Sequence, residues 1–332
     1  MLVSPLRRLL AALVGVVVLV LTWFALQYFP PGGSGREVLI TVHRGDSMAV
    51  IAGDLHRAGV IASAFTFRVD SFLEGAPLVV PGVYELAQGA SYPDIRTILS
   101  GGPNVPQVDV VPGVTIKEIA LDVANSVGNT FASSFLSAAR DAAAASPYHP
   151  QGTLDGLVGP GLYLITPGET PAQLLAAMQR GFATEAAQAG LTPASTNEGL
   201  DAYQLLTAAS IVEKEGYYAK NMPDVARVIY NRLARQMPLQ MDSTVLYALG
   251  LDGGTVTHAM LQTPTPYNTY LNAGLTPTPI CVVSPQALQA VLHPPAGDWL
   301  YFVLVKKDGT MAFSATYQEQ LAQEAKAAKA GL

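Results

Sequence analysis

The pattern of apolar and polar positions divides the chain into stretches of distinct character. Leu9 to Phe29 carries no charge and is rich in Leu and Val. A run of about 20 apolar residues predicts a helix able to cross a bilayer. Pro30 to Gly35 is all Pro, Gly and Ser, the composition of a short linker. Beyond it, apolar positions recur at helical and strand spacings in two similar blocks. In the first, His43-Arg44-Gly45-Asp46-Ser47 leads into a helix with Ile51, Ala52 and Leu55 on one face. In the second, Val111-Pro112-Gly113-Val114-Thr115 leads into a helix with Ile119, Ala120 and Val123 at the same offsets. Each reads as strand, Gly turn, hydroxyl N-cap and helix, and Thr115 with Glu118 has the capping-box spacing. A later segment repeats too. Pro81-Gly82-Val83-Tyr84, then Gly89, Ser91 and Ile95 to Leu99, is matched by Pro160-Gly161-Leu162-Tyr163, then Gly168, Thr170 and Leu174 to Met178. Two copies of a small α/β unit over 37–189 are predicted.

Leu191 to Gly199 is polar and loop-like, which places a boundary near 190–200. Past it, Leu205, Leu206, Ala208, Ala209, Ile211 and Val212 form one face of a short helix, with Glu213 and Glu215 at its C-terminal end. A second helix is expected over Met222 to Gln236, with Arg227, Arg232 and Arg235 on solvated faces. Thr263 to Ile280 is punctuated by proline and reads as a long ordered loop. Trp299 to Val305 and Met311 to Ser314 read as strands joined through Asp308-Gly309. The expected class is α+β: a transmembrane helix, a duplicated α/β region and a C-terminal mixed α/β domain over 200–332.

Composition narrows the chemistry. Charged residues make up 13% of the 332 residues, the formal net charge is −6, and no basic block occurs. Nucleic acid is excluded as a partner on those grounds. Arg7 and Arg8 precede the apolar run, so residues 1–8 are expected in the cytoplasm, 9–29 in the membrane and, after a 30–36 linker, the rest outside. A cleaved signal peptide is the alternative. The single Cys281 is either a buried filler or a nucleophile, and no His stands in a partner motif. His43, His56, His149, His258 and His293 are scattered, so no metal and no cofactor are expected.

The candidate chemistry lies in Ala209-Ser210-Ile211-Val212-Glu213-Lys214-Glu215-Gly216. Acids set against apolar surface are raw material for proton transfer at a sugar bond. Residues two apart point about 200° apart on a helix, so the two carboxylates cannot form a facing pair. Spacing alone does not choose between them. Asp242 is either an N-cap or a group that orders the catalytic carboxylate or a sugar hydroxyl. The Tyr- and Asn-bearing loop, with Tyr267, Asn268 and Tyr270, suits carbohydrate.

The strand–turn–helix units resemble LysM modules, which bind N-acetylglucosamine-containing glycans; a stalk without a ligand site is equally open. Further on, ASIVEKEG, Val228 to Leu233, Gln240 to Gly250, Thr265 to Leu275, Leu292 to Pro295 and Trp299 to Val303 follow one another in an order and spacing that resemble the MltG-type (YceG-like) endolytic murein transglycosylases. The resemblance spans almost the whole chain. It implies cleavage of nascent peptidoglycan strands between N-acetylmuramic acid and N-acetylglucosamine, leaving 1,6-anhydro ends, with peptidoglycan synthases as partners at the cell membrane. It also implies that Glu215 is the catalytic acid. Glu213, Gln240, Asp242, Ser243, Tyr267, Asn268 and Tyr270 are the expected substrate-binding or orienting residues, with Glu213 as a purely structural residue equally open. The chain departs from the family at Val158 to Tyr163, at Cys281 to Ser284 and at Gln320. Two rivals remain: a hydrolase pairing Glu215 with Glu213 or Asp242, and a glycan-binding scaffold without catalysis.

Overall fold

The computed structural model describes residues 5–30, 35–148, 152–216 and 218–331. The 31–34 part of the expected linker and His149 lie outside the described residues. The chain divides into two compact units, Met1–Pro106 and Gln107–Leu332.

The first unit begins with α1 (Pro5–Tyr28), whose Leu13, Val14, Val17 and Leu21 are exposed. The expected span over 9–29 is not supported. Among the described residues no helix is long and apolar enough to cross a membrane. The end of α1 is tied to its own unit: Arg96 donates to the Tyr28 hydroxyl at 3.1 Å and to the buried Asp70 at 2.9 Å. After it come β1 (Glu37–Val42), α2 (Met48–Arg57), α3 (Ala64–Leu73), β2 (Gly82–Ala87) and α4 (Tyr92–Gly101). β1 and β2 pair antiparallel, with Ile40 opposite Tyr84. The core is Ile40, Ile51, Leu55, Phe67, Tyr84 and Ile95 with their neighbours.

The second unit opens with the same order: β3 (Gln107–Val110), α5 (Ile116–Val127), α6 (Asn129–Ala144), β4 (Gly161–Leu164) and α7 (Pro171–Ala189). The duplication extends to single bonds. Val108 stands opposite Tyr163 as Ile40 stands opposite Tyr84. Each tyrosine donates to the carbonyl four residues before it, Tyr84 to Val80 at 2.7 Å and Tyr163 to Gly159 at 2.8 Å. Gly45 and Gly113 both have φ +92°, where a side chain would be strained. Ser47 and Thr115 cap the helices that follow, the latter in a full capping box with Glu118. Ser91 and Thr170 cap α4 and α7 in turn.

The copies differ in what covers them. The second shares one core with the rest of its unit, from Val108 to Val291. The compact units thus meet at 106/107, and the polar stretch at 190–200 lies within the second. Ala189 and Leu191, at the expected boundary, belong to that core, and Gln289 donates to the Ala189 carbonyl. A short hairpin, β5 (Thr196–Asn197) and β6 (Leu200–Asp201), leads into α8 (Ala202–Gly216), α9 (Met222–Ala234), α10 (Asp242–Leu249), α11 (His258–Leu261) and α12 (Pro285–Leu292). β7 (Tyr301–Leu304) pairs antiparallel with β8 (Met311–Ser314), and α13 (Tyr317–Lys329) follows. α8 is buried all round from Leu205 to Val212, not on one face, because α9, α10 and α12 pack about it.

Candidate active site

The last turn of α8 carries Glu213, Lys214 and Glu215, and each side chain holds a different segment. Glu213 accepts from the Ser284 backbone N–H at 2.8 Å. Ser284 is the N-cap of α12, so this carboxylate fixes where that helix starts. Lys214 donates to the Gly113 carbonyl at 3.2 Å and to Asp252 at 2.9 Å. Glu215 faces α10, where its Oε1 accepts from the Ser243 hydroxyl at 2.6 Å and the Ser243 backbone N–H at 3.2 Å. The geometry thus separates the two acids that spacing left equal.

Ser243 is the second residue of α10, so its N–H has no partner within the helix. Glu215 satisfies it and lies at the positive end of the helix dipole. Burial pushes the Glu215 carboxyl above its ordinary range. The two Ser243 bonds and Lys214 oppose that, while the Asp242 carboxylate adds to it. Both Ser243 bonds go to Oε1; among the described residues none is formed to Oε2.

Asp242 is the first residue of α10, not its N-cap; Met241 is the N-cap and makes no side-chain capping bond. Asp242 accepts from the Tyr270 hydroxyl at 2.6 Å. Gln240, just before, has φ +53° and donates its N–H to the Thr269 carbonyl at 3.0 Å. The Thr269 hydroxyl accepts from Met241 N at 3.0 Å and meets Thr244 at 2.9 Å. The proline-rich loop therefore grips the start of α10. Asn268 is one of its staples: wholly buried, it donates to the Leu261 and Thr263 carbonyls and accepts from Tyr270 N. Its amide is spent on the loop and is not turned to a ligand. Tyr267 packs elsewhere in the loop, its ring 5.0 Å from Tyr247 and its hydroxyl 3.0 Å from Thr278. So Glu215, Ser243, Asp242 and Tyr270 form one cluster with Gln240 beside it. Glu213 faces away.

Beside Ser243 opens a cavity of about 530 Å³, lined among others by Lys117, Glu118, Asp155, Tyr247 and Tyr267. Asp155 carries no motif signal, since a lone Asp in a Gly-rich turn reads as a turn former, and Tyr247 lies within the Gln240 to Gly250 motif without being among the expected site residues. Arg232 was expected on a solvated face and is buried. It donates to the Leu300 and Leu239 carbonyls at 2.6 Å each and to Gln240 at 3.4 Å. Arg227 pairs bidentately with Glu198 and reaches the Pro295 carbonyl. Cys281 is fully buried, donates to the Ser210 carbonyl at 3.3 Å, and burial pushes its thiol up, which suits a core filler rather than a nucleophile. Among the described residues no group of His, Cys, Asp and Glu is placed to hold a metal.

The chain belongs to the YceG-like family, whose profile matches residues 40–326. The endolytic murein transglycosylase of Bacillus subtilis (strain 168) is 30% identical over 305 residues, covering 86% of this chain and 83% of that protein. The endolytic murein transglycosylase of Streptococcus pneumoniae serotype 2 is 28% identical over 318 residues, and the match spans 57% of its length. The 2.6 Å crystal structure of a protein described as yceG-like from Listeria monocytogenes matches with a TM-score of 0.60 at 26% identity, over 87% of this chain and 99% of that one.

Proposed function

We propose that this chain is an endolytic peptidoglycan lytic transglycosylase with Glu215 as its acid. The observation that carries the reading is Glu215 itself: one carboxyl, raised by burial and held through Oε1 alone by Ser243. A protonated Oε2 can give its proton to the glycosidic oxygen as the bond to C1 of N-acetylmuramic acid breaks. The resulting carboxylate can then take the proton of the muramic C6 hydroxyl as that oxygen bonds to C1. The product is a 1,6-anhydro end, the acid is regenerated, and no water is consumed. A two-acid hydrolase needs a second carboxylate across the bond. Glu213 is engaged with Ser284 on another side, and Asp242 already accepts a tyrosine hydroxyl, which favours the one-acid route. Relatives named endolytic murein transglycosylases at 28–30% identity support the same substrate.

The experiment is digestion of uncrosslinked glycan strands followed by mass spectrometry, with wild type and Glu215→Gln in parallel. Anhydro-ended products from wild type alone are expected. Reducing muramic ends would replace this reading with the hydrolase. Strand binding without cleavage would replace it with the scaffold.

For the N-terminal segment the proposal is an anchor in the cell membrane, with the catalytic unit outside and peptidoglycan synthases as neighbours. What supports it is the charge pattern, Arg7 and Arg8 before an uncharged run from Leu9 to Phe29, in which Leu13, Val14, Val17 and Leu21 are exposed. Protease protection of intact cells and spheroplasts tests it: residues 37–332 should be cut from outside only.

A further inference from the structure

The loop between α6 and β4 contributes a buried acid with no part in the proton transfers above. Leu154 to Gly159 is buried throughout, with a turn closed by Leu157 N–H to the Leu154 carbonyl at 2.9 Å. Gly156 has φ +79°, and a Cβ there would lie 2.7 Å from Pro279 Cβ and 3.3 Å from Leu206 Cγ. The turn is therefore wedged against α8 and the segment before α12. At its tip Asp155 is only 5% exposed. Its Oδ1 accepts from the Ile116 backbone N–H, the first of α5, at 2.7 Å. Its Oδ2 accepts from Thr153 at 2.8 Å and from the Tyr247 hydroxyl at 2.7 Å.

Tyr247 is on α10, four residues after Ser243, so both lie on one face of that short helix. One turn of α10 holds Glu215 and the next is held by Asp155. We propose that Asp155 is a positioning residue for the proton-transfer site: through Tyr247 it fixes the rotation of α10, and so the two bonds that Ser243 makes to Glu215. This rests on the reading of Glu215 as the acid.

The charges around both ends are few. Glu215 is faced by Asp242 and Lys214, and by the Tyr270 phenol. Asp155 is faced by Lys117, by the Tyr247 phenol and by the Cys281 thiol. In Asp155→Asn the one acceptor oxygen that remains serves the Ile116 N–H, so the part-buried Tyr247 hydroxyl loses its acceptor there, keeps Thr278 as a partner, and α10 turns toward it. The Ser243 bonds then lengthen. Those bonds favour the charged carboxylate, so Glu215 should titrate higher and stay protonated to higher pH.

The test uses the full chain and the variants Asp155→Asn, Tyr247→Phe and, as comparator, Ser243→Ala. Two readouts are taken: the pH profile of strand cleavage, and the titration of Glu215 followed by carbon NMR of labelled glutamate side chains. Expected are a kcat loss on the order of 10- to 100-fold from misplacement of the acid, with little change in KM. The alkaline limb and the Glu215 titration should both move up in pH, in the same direction as for Ser243→Ala. The double variant Asp155→Asn/Tyr247→Phe should move them no further than either single one. Tyr247→Phe removes one oxygen and keeps the ring, so it carries the test if Asp155→Asn does not fold. If the Glu215 titration moves for Ser243→Ala and stays put for Tyr247→Phe, Asp155 is only a brace for the fold. The NMR readout needs no turnover. Failure of the catalytic reading shows separately, as cleavage that survives Glu215→Gln.

Discussion

Glu213 and Glu215 stand two residues apart on α8 and hold opposite sides of the site: Glu213 bonds the first residue of the α12 cap and Glu215 bonds Ser243 of α10. The two substitutions should therefore part company. Glu215→Gln should lower strand cleavage by about 10²- to 10⁴-fold, the range for loss of a general acid. Glu213→Gln keeps an acceptor for the Ser284 N–H and should cleave at close to the wild-type rate. Glu213→Ala loses that bond and should cost about 1 kcal/mol of stability, read as a shift in urea midpoint. A loss of cleavage by Glu213→Gln as deep as that of Glu215→Gln would return both acids to the chemistry.

The raised Glu215 carboxyl also predicts how stability depends on pH. Its protonation is favoured more in the folded chain than in the unfolded one. Its contribution is thus fully present below the ordinary carboxylate range and is lost as pH rises through the folded value. Glu215→Gln removes the buried charge while keeping the shape. Its thermal midpoint should match wild type at acidic pH and exceed it at neutral pH. Equal midpoints at both would mean that Glu215 carries no strain from burial.

How much of this was legible in the sequence follows from the kind of signal each part leaves. The duplicated unit was visible because caps and turns are local: Ser47, Thr115, Ser91 and Thr170 act within three residues of themselves. The opposition of Glu213 and Glu215 was visible because helical geometry fixes it. What each acid faces was not, since Ser284 and Ser243 arrive from distant segments. The polar loop near 190–200 marks a surface, and the shared core beneath it, from Val108 to Val291, leaves no local signal. Arg232 was unreadable for the same reason. An arginine on a helix is solvated by default, and only the carbonyls of Leu239 and Leu300, brought in by later chain, explain its burial.

Arg232 gives the next prediction. Its guanidinium fork satisfies carbonyls at Pro238, Leu239 and Leu300 and reaches Gln240, so it pins β7 to the stretch entering α10. A lysine keeps the charge but has no planar fork and cannot meet that arrangement. Arg232→Lys should cost about 2–3 kcal/mol, the range for leaving buried polar groups unsatisfied. Cleavage should fall as well, since Gln240 and Asp242 lose their backing. Chemical denaturation of wild type and variant checks the first part. A cost under about 0.5 kcal/mol, the usual scatter of surface substitutions, would show that water replaces the fork.

The last prediction uses the bond that Tyr163 shares with its counterpart Tyr84. Tyr163→Phe removes the donor to the Gly159 carbonyl, which should cost about 1 kcal/mol. The same hydroxyl also occupies the space next to Gly181 on α7, where an added Cβ would collide with it. Gly181→Ala alone should therefore destabilise the protein, despite the helix propensity that alanine gains over glycine, about 1 kcal/mol. In the Tyr163→Phe background the collision is gone and the propensity gain remains, so Gly181→Ala should there stabilise. The sign of one substitution thus reverses on removal of a single oxygen atom. Urea midpoints of the four proteins in this cycle decide it. Additive effects would mean that α7 shifts to make room and that the contact between Gly181 and the Tyr163 hydroxyl does not constrain the second repeat.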